Sequence, residues 1–298
     1  MIISRLKKFI VMSVITAAFA VPCSSAFATE GGGGAYPNGA EDVMAGAIPP
    51  AGFYYLNYLN YYTADALKDN SGDKIDVHFK ANVLADVSRF VYVTKTQIAG
   101  GNLGFQTLIP LVNMHLETPA GKDNASGLGD IDLGVNLSWH SKNLHQALAL
   151  DVDVPTGAYD KNDIANIGRN CYTFEPAYGI SYVTDGGYEV SGKFMYDFNT
   201  ENNDTDYKSG QEFHVDYFTG QHVGSWTVGL GGYYYQQITD DKSDGETVDD
   251  YKGRVLGVGP TIQYNYKNIG IHVKYQKETL VENRSEGDKY WVRAVFSF

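Results

Sequence analysis

From residue 51 onward the chain falls into twelve segments of ten or more residues, and the pieces joining them alternate between short and long. The segments run 51 to 63, 81 to 96, 103 to 117, 128 to 140, 145 to 155, 171 to 183, 187 to 198, 210 to 221, 225 to 238, 252 to 266, 268 to 277 and 288 to 298. The short joints are Gly100-Gly101, Lys142-Asn143, Asp185-Gly186-Gly187, Val223-Gly224 and Lys267-Asn268. Between them lie six polar stretches, near 64 to 80, 118 to 127, 156 to 170, 199 to 209, 239 to 251 and 278 to 287. A soluble Greek-key sandwich has no reason to sort its connections this way. An all-β, antiparallel, up-and-down barrel of twelve strands crossing a membrane does, with both termini on the periplasmic side with the short turns and the long loops outside the cell. About ten residues is also what a tilted strand needs to cross the bilayer.

Within the segments, side chains alternate. Ile131, Leu133, Val135, Leu137 and Trp139 oppose Asp130, Asp132, Gly134, Asn136, Ser138 and His140; Leu148, Leu150, Val152 and Val154 oppose Ala147, Ala149, Asp151 and Asp153. Ile269, Ile271, Val273 and Tyr275 oppose His272, Lys274 and Gln276. This period of two marks strands between unlike surroundings. The first two segments leave the parity open. Aromatic residues gather near strand ends on the apolar face, among them Tyr188, Phe198, Phe213, Trp226, Tyr266, Tyr290 and Phe298, where two interfacial girdles would use them. An open edge in hydrocarbon would leave backbone groups unpaired, so such a sheet has to close on itself. The last segment, apolar at Tyr290, Val292, Ala294, Phe296 and Phe298, resembles the final strand of bacterial outer-membrane barrels. That likeness implies an assembly role for Phe298 toward the outer-membrane insertion machinery.

Residues 1–28 read as an export signal: Arg5, Lys7 and Lys8, an uncharged run from Phe9 to Val21, then Ala26-Phe27-Ala28. Cleavage after Ala28 would discard Cys23, leave Cys171 without an intrachain partner, and move the formal charge from -12 to -15. Nucleic acid is a poor partner for so acidic a chain. Residues 29–50 (TEGGGGAYPNGAEDVMAGAIPP) have no period and form an irregular segment before the barrel of residues 51–298. Preceding the first strand on the periplasmic side, they are placed to fold back into the lumen as a plug or to hang loose.

The chain is similar to a known family, the outer-membrane proteins associated with the meta-pathway of phenol degradation. The matching stretches are Gly39-Ala40 through Pro49-Pro50-Ala51-Gly52-Phe53-Tyr54, Gly127-Leu128-Gly129-Asp130-Ile131, Pro155-Thr156-Gly157-Ala158-Tyr159, Asn166-Ile167-Gly168-Arg169-Asn170 and Gly257-Val258-Gly259-Pro260. The resemblance implies a monomeric barrel in the outer membrane of a Gram-negative bacterium, in contact with membrane lipids and lipopolysaccharide, that admits small hydrophobic or aromatic compounds. It carries over no site residues.

Catalysis finds no support, because no base and nucleophile converge where a substrate would reach them; Ser138 and His140 share the polar face with Asp130 and Asp132. The seven histidines show no pair at metal-ligand spacing, and the acids of the loop holding Asp240, Asp241, Asp244, Glu246, Asp249 and Asp250 lack an EF-hand pattern, so neither cofactor nor metal is expected. The candidate lumen residues are Asp130, Asp132, Asp151, Asp153 and Arg293. A simple hairpin at Lys142-Asn143 sets Asp132 opposite Asp153, with Asp130 and Asp151 nearby. Paired with basic residues such as Arg169, Lys193, Lys274, Lys289 or Arg293, these acids are a salt-bridged barrel wall; in an open path they would favour cations and neutral solutes and repel anions. The expected function is passive uptake; the alternative is a structural or adhesive barrel whose acidic loops are the working part.

Overall fold

The computed structural model describes residues 29–298, so residues 1–28, expected to be an export signal, lie with Cys23 outside the described residues. Twelve wall strands follow in order: β1 (Gly52–Leu67), β2 (Lys80–Ile98), β3 (Gly101–Thr118), β4 in two pieces (Gly121–Leu128 and Ile131–His140), β5 (Leu144–Val154) and β6 (Thr173–Val183), then β7 (Tyr188–Asn199), β8 (Glu212–Val223), β9 (Trp226–Gln237), β10 (Arg254–Tyr266), β11 (Ile269–Glu282) and β12 (Ser285–Ser297). Each pairs antiparallel with its sequence neighbours, and β12 returns to β1 from Tyr54 opposite Ser297 to Leu67 opposite Ser285, so the ring has no edge. Three short strands, Tyr207–Lys208, Asp241–Ser243 and Glu246–Val248, form a small sheet within the loops that follow β7 and β9.

The wall is inside out relative to a water-soluble protein. Leu84, Tyr92, Leu111, Leu133, Leu148, Val190, Leu230 and Ile271 stand between 41% and 57% exposed around the outside, whereas Ser181, Glu189, Asp216 and Gln276 are fully buried within. Such a belt is stable only against lipid, and closure gives every wall strand a partner on both sides without recourse to water. Tyr188, Phe198, Trp226, Tyr266 and Tyr290 all point outward.

Two of the six expected long loops are tight turns. β4 begins at Gly121, directly after β3 ends at Thr118, and β11 runs on to Glu282 with β12 starting at Ser285. The polar residues of these stretches sit in ladders rather than loops: Asn113 Nδ2 donates to Ser126 Oγ at 2.6 Å, His115 Nδ1 lies 2.7 Å from Asn124 Oδ1, and Arg254 pairs with Glu282. Cross-strand polar pairs of this kind favour pairing that continues past the apolar belt.

The open parity of the first strands also has a physical cause. Tyr58 on β1 and Val83, Ala85 and Val87 on β2 face an apolar chamber inside, while on the outside Asn57 donates to Asp86 at 2.5 Å and breaks the belt. Neither face is uniformly polar there, so alternation cannot be read.

Gly52, where the wall begins, and Phe298, where it ends, lie at the short-turn end, and Phe298 N meets Phe53 O at 3.4 Å. Thr29, the first described residue, lies at the other end. The carboxylate of its neighbour Glu30 receives Tyr159, Asn202 and Thr205, all from the long loops.

Candidate functional site

Residues 29–50 run through the lumen from the loop end to the turn end, and the charges of the wall explain the path. The side of the barrel built from β6 to β8 presents Ser181, Glu189 and Asp216; the side built from β11 and β12 presents Lys274, Gln276 and Lys289. The segment lies between them with its amides toward the acids and its carbonyls toward the bases. Asp216 accepts from Gly39 N at 2.7 Å, Glu41 N at 2.9 Å and Tyr36 Oη at 2.6 Å, Glu189 accepts from Met44 N at 2.6 Å, and Ser181 Oγ from Gly46 N at 2.9 Å. Opposite, Lys289 Nζ donates to Asn38 O at 2.9 Å, Gln276 Nε2 to Gly39 O at 3.3 Å and Lys274 Nζ to Ala40 O at 2.8 Å. An irregular stretch, unable to satisfy its own backbone, is thereby satisfied by the wall. Gly39 sits at φ 87°, and a Cβ there would come within 2.4 Å of Gln276 Oε1 and 2.7 Å of the Tyr233 ring, so only glycine fits.

At Glu41 the segment carries its own bar across the lumen. Arg89 Nη1 reaches Glu41 Oε1 at 2.5 Å, Arg293 Nη1 reaches Oε2 at 2.6 Å, and Tyr58 Oη donates to Oε1 at 2.5 Å. Arg89 continues to Gln106 Oε1 at 2.5 Å, and Gln106 Nε2 to Asp151 Oδ1 at 2.6 Å. Next to Glu41, the Asp42 carboxylate takes Thr261 Oγ1 at 3.1 Å and lies 3.5 Å from Lys274. Charge-assisted bonds shielded from water are the strong kind, so the bar is stiff.

The bar divides two chambers. Toward the turns lies one of about 380 Å³, lined by Met44, Ile48, Val91, Asn136, Ala177 and Val295 among others. Toward the loops lies one of about 300 Å³, with Val83, Ala85, Val87, Leu108, Val112 and Met114 on one side and Asp132, Asp151, Asp153 and Glu175 on the other. Glu41, Arg89, Gln106, Asp151 and Lys193 border both. The outer chamber is thus amphipathic: an apolar wall from β2 and β3 faces a carboxylate wall from β4 to β6.

Asp132 does stand directly opposite Asp153, and both line that chamber with Asp151. Arg293 is spent on Glu41. Asp130 borders the chamber, but its carboxylate is engaged elsewhere, with Oδ1 accepting Gly157 N at 2.8 Å and Oδ2 accepting Arg169 N at 2.7 Å. The place it holds together is a break in the wall. Pro110 on β3 has no N–H to give, and the ladder skips from Leu108 opposite Asp132 to Leu111 opposite Leu128. The loop after β5 repairs the gap, with Thr156 Oγ1 accepting Ile131 N at 2.9 Å and donating to Gly129 O at 3.2 Å. Gly129, Gly157 and Gly168 pack against one another so closely that a Cβ on Gly157 would lie 2.7 Å from Gly168 Cα and 2.9 Å from Gly129 C. Three of the stretches singled out in the sequence are therefore one clasp.

Sequence reasoning missed two histidine groupings, because spacing along one strand does not show what pairing brings together. His140 and His145 face each other across a hairpin with Nδ1 atoms 3.0 Å apart, and His214 sits beside Glu175 and Asp197. The signal was present only in the strand register.

Among known families, the one described as "Putative MetA-pathway of phenol degradation" matches residues 64–294. No curated protein matches. Among solved structures, the COG4313 outer membrane channel from Pseudomonas putida F1 is similar with a TM-score of 0.78 and 18% identity, covering 87% of this chain and 99% of that one. The beta domain of the Bordetella autotransporter BrkA is similar with a TM-score of 0.51 and 10% identity, over 83% of this chain and 100% of the other. At these identities the structures share the barrel fold.

Proposed function

We propose that this chain, which belongs to the phenol-degradation meta-pathway family, is an outer-membrane channel that takes up small hydrophobic or aromatic solutes by passive diffusion, with residues 29–50 as its gate. The observation that carries this reading is the outer chamber, a space of about 300 Å³ with one apolar wall, closed below by the Glu41 bar. That volume suits a single-ring solute with one polar substituent, the ring against Val87, Leu108 and Met114 and the substituent toward the bar. No group in the chamber is set up to break a bond, and the chain acts here as a conduit rather than an enzyme. The adhesive alternative calls for free loops. Asp123, whose carboxylate accepts Ile164 N at 3.1 Å and Ala165 N at 3.0 Å, and the Asp130 clasp instead tie the loop after β5 to the wall.

The test is filling the chamber. Ala85→Trp projects an indole into it from β2 and should abolish low-concentration uptake of a monoaromatic such as phenol by intact cells with a complete lipopolysaccharide layer, while the barrel stays folded and heat-modifiable. Unchanged uptake by the folded variant would sink the proposal.

In this reading the channel works as a monomer among lipids and lipopolysaccharide in a Gram-negative outer membrane, and Phe298 serves its assembly. The residue is 82% exposed, and its ring meets that of Phe53 at 5.9 Å, tilted by 41°, beside the closing seam. Deleting Phe298 should lower the folded, heat-modifiable fraction in outer membranes; normal yield would remove that role.

A further inference from the structure

Three neighbouring wall strands bring Glu175 (β6), Asp197 (β7) and His214 (β8) together on the lumen side. Their outward neighbours Phe174 and Phe198 pair on the lipid face, which fixes Glu175 and Asp197 inward, and Glu212 stands opposite Asp197 in the ladder of β8. All three side chains are at most 3% exposed, and their ligand atoms lie within 4.8 Å of one another. His214 Nε2 is 3.1 Å from Asp197 Oδ1 and 3.6 Å from Glu175 Oε2. Donor atoms around a tetrahedral ion with bonds of about 2.0–2.1 Å are about 3.3 Å apart, so these separations need only a small adjustment to receive one.

Charge points the same way. Lys193 Nζ bonds Glu175 Oε1 at 3.2 Å, leaving Oε2 to face the imidazole, and Arg169 lies 3.7 Å from Glu212 Oε1. Against these two cations and Arg284, which also faces Glu212, stand Glu175, Asp197, Glu212 and the nearby Asp153 and Asp216. Glu212 is 1% exposed and its Oε2 has no hydrogen-bond partner among the described residues. A buried carboxylate oxygen without a donor, beside two more carboxylates and an imidazole, is costly until a cation offsets it. The position is reachable, since Glu175, Lys193 and Asp153 line the outer chamber while the Tyr36 ring covers His214 from the gate segment at 5.3 Å.

We infer that Glu175, Asp197 and His214 form a site for one divalent transition-metal ion, of the Zn²⁺ or Mn²⁺ kind, on the acidic wall of the outer chamber. One imidazole nitrogen with two carboxylates suits such ions, whereas Mg²⁺ and Ca²⁺ take oxygen shells. Glu175 offers Oε2 alone, Oε1 remaining with Lys193, and water from the chamber completes the coordination.

The test uses the full folded barrel in detergent, stripped with a chelator and dialysed against Zn²⁺ alone, then loaded with Co²⁺ for its visible spectrum. The native protein should hold one ion per barrel with a low-symmetry Co²⁺ spectrum. His214→Ala and Asp197→Asn should each weaken binding by at least ~10-fold and erase the spectrum, and Glu175→Gln serves if either fails to yield the heat-modifiable form. His140→Ala with His145→Ala, which removes the exposed pair at the other end, should leave both readouts intact. No Zn²⁺ above the detergent blank, loss of binding with the His140 and His145 change instead, or full displacement of Zn²⁺ by equimolar Mg²⁺ would each overturn the assignment.

Discussion

Removing residues 29–50 should raise single-channel conductance in a planar bilayer several-fold while the barrel remains folded. The segment is held by side chains from β1, β2, β6, β7, β8, β10, β11 and β12, yet none of the wall pairing depends on it, so its loss empties the lumen without opening the ring. Groups that it had paired, Asp216, Glu189, Lys274 and Lys289, would then be hydrated rather than stranded. Glu41→Ala should act in the same direction and less strongly, because it removes the bar but leaves the backbone bonds of Gly39, Met44 and Gly46. In the deletion protein the carboxylate wall at Asp132, Asp151 and Asp153 meets an open path. The reversal potential across a KCl gradient should therefore show cation preference, reduced by Asp132→Asn with Asp153→Asn. Conductance equal to that of the native barrel would remove the gate, and an anion-selective pore or identical potentials would remove the selectivity role.

Asp130→Ala should release the loop after β5 from the wall. The change strips two backbone amides, Gly157 and Arg169, of a shared charged acceptor. Bonds to a charged group contribute about 1.5–3 kcal/mol each, so the loop should lose at least ~3 kcal/mol of local stability. Proteinase K added to intact cells should then cut within residues 155–172, where the native barrel resists. Asp130→Asn keeps one carbonyl acceptor and should fall between the two. Equal protease resistance in all three proteins would show that Gly packing, not the carboxylate, holds the clasp.

These two features differ in how far the sequence announced them. Strand count, alternation on β4, β5 and β11, and the opposition of Asp132 with Asp153 were readable because period two and a short hairpin fix register locally. The clasp was not, since Pro110, Gly129, Thr156 and Gly168 meet only after β3, β4 and the loop after β5 are assembled, though their glycine-rich stretches stood out singly. The tight turns at 119–120 and 283–284 were hidden because charged residues in a strand that outruns the bilayer look like loop. The grouping of His214 with Glu175 and Asp197 was not readable, because Asp197 meets it across the long connection after β7 and Glu175 comes from one strand further round. The path of residues 29–50 follows from wall charges on distant strands, which no local pattern contains.

That path also constrains the order of assembly. The segment is held by Glu30 at the loop mouth and continues at Gly52 into the wall at the turn mouth, so it occupies the lumen only by passing back along its full length. The seam between β1 and β12 joins the two strands farthest apart along the chain. The groups that grip residues 29–50 from both sides belong to strands late in the chain, Glu189 and Asp216 on one side and Lys274 and Lys289 on the other, so the segment, first to be made, is the last to be fixed in place.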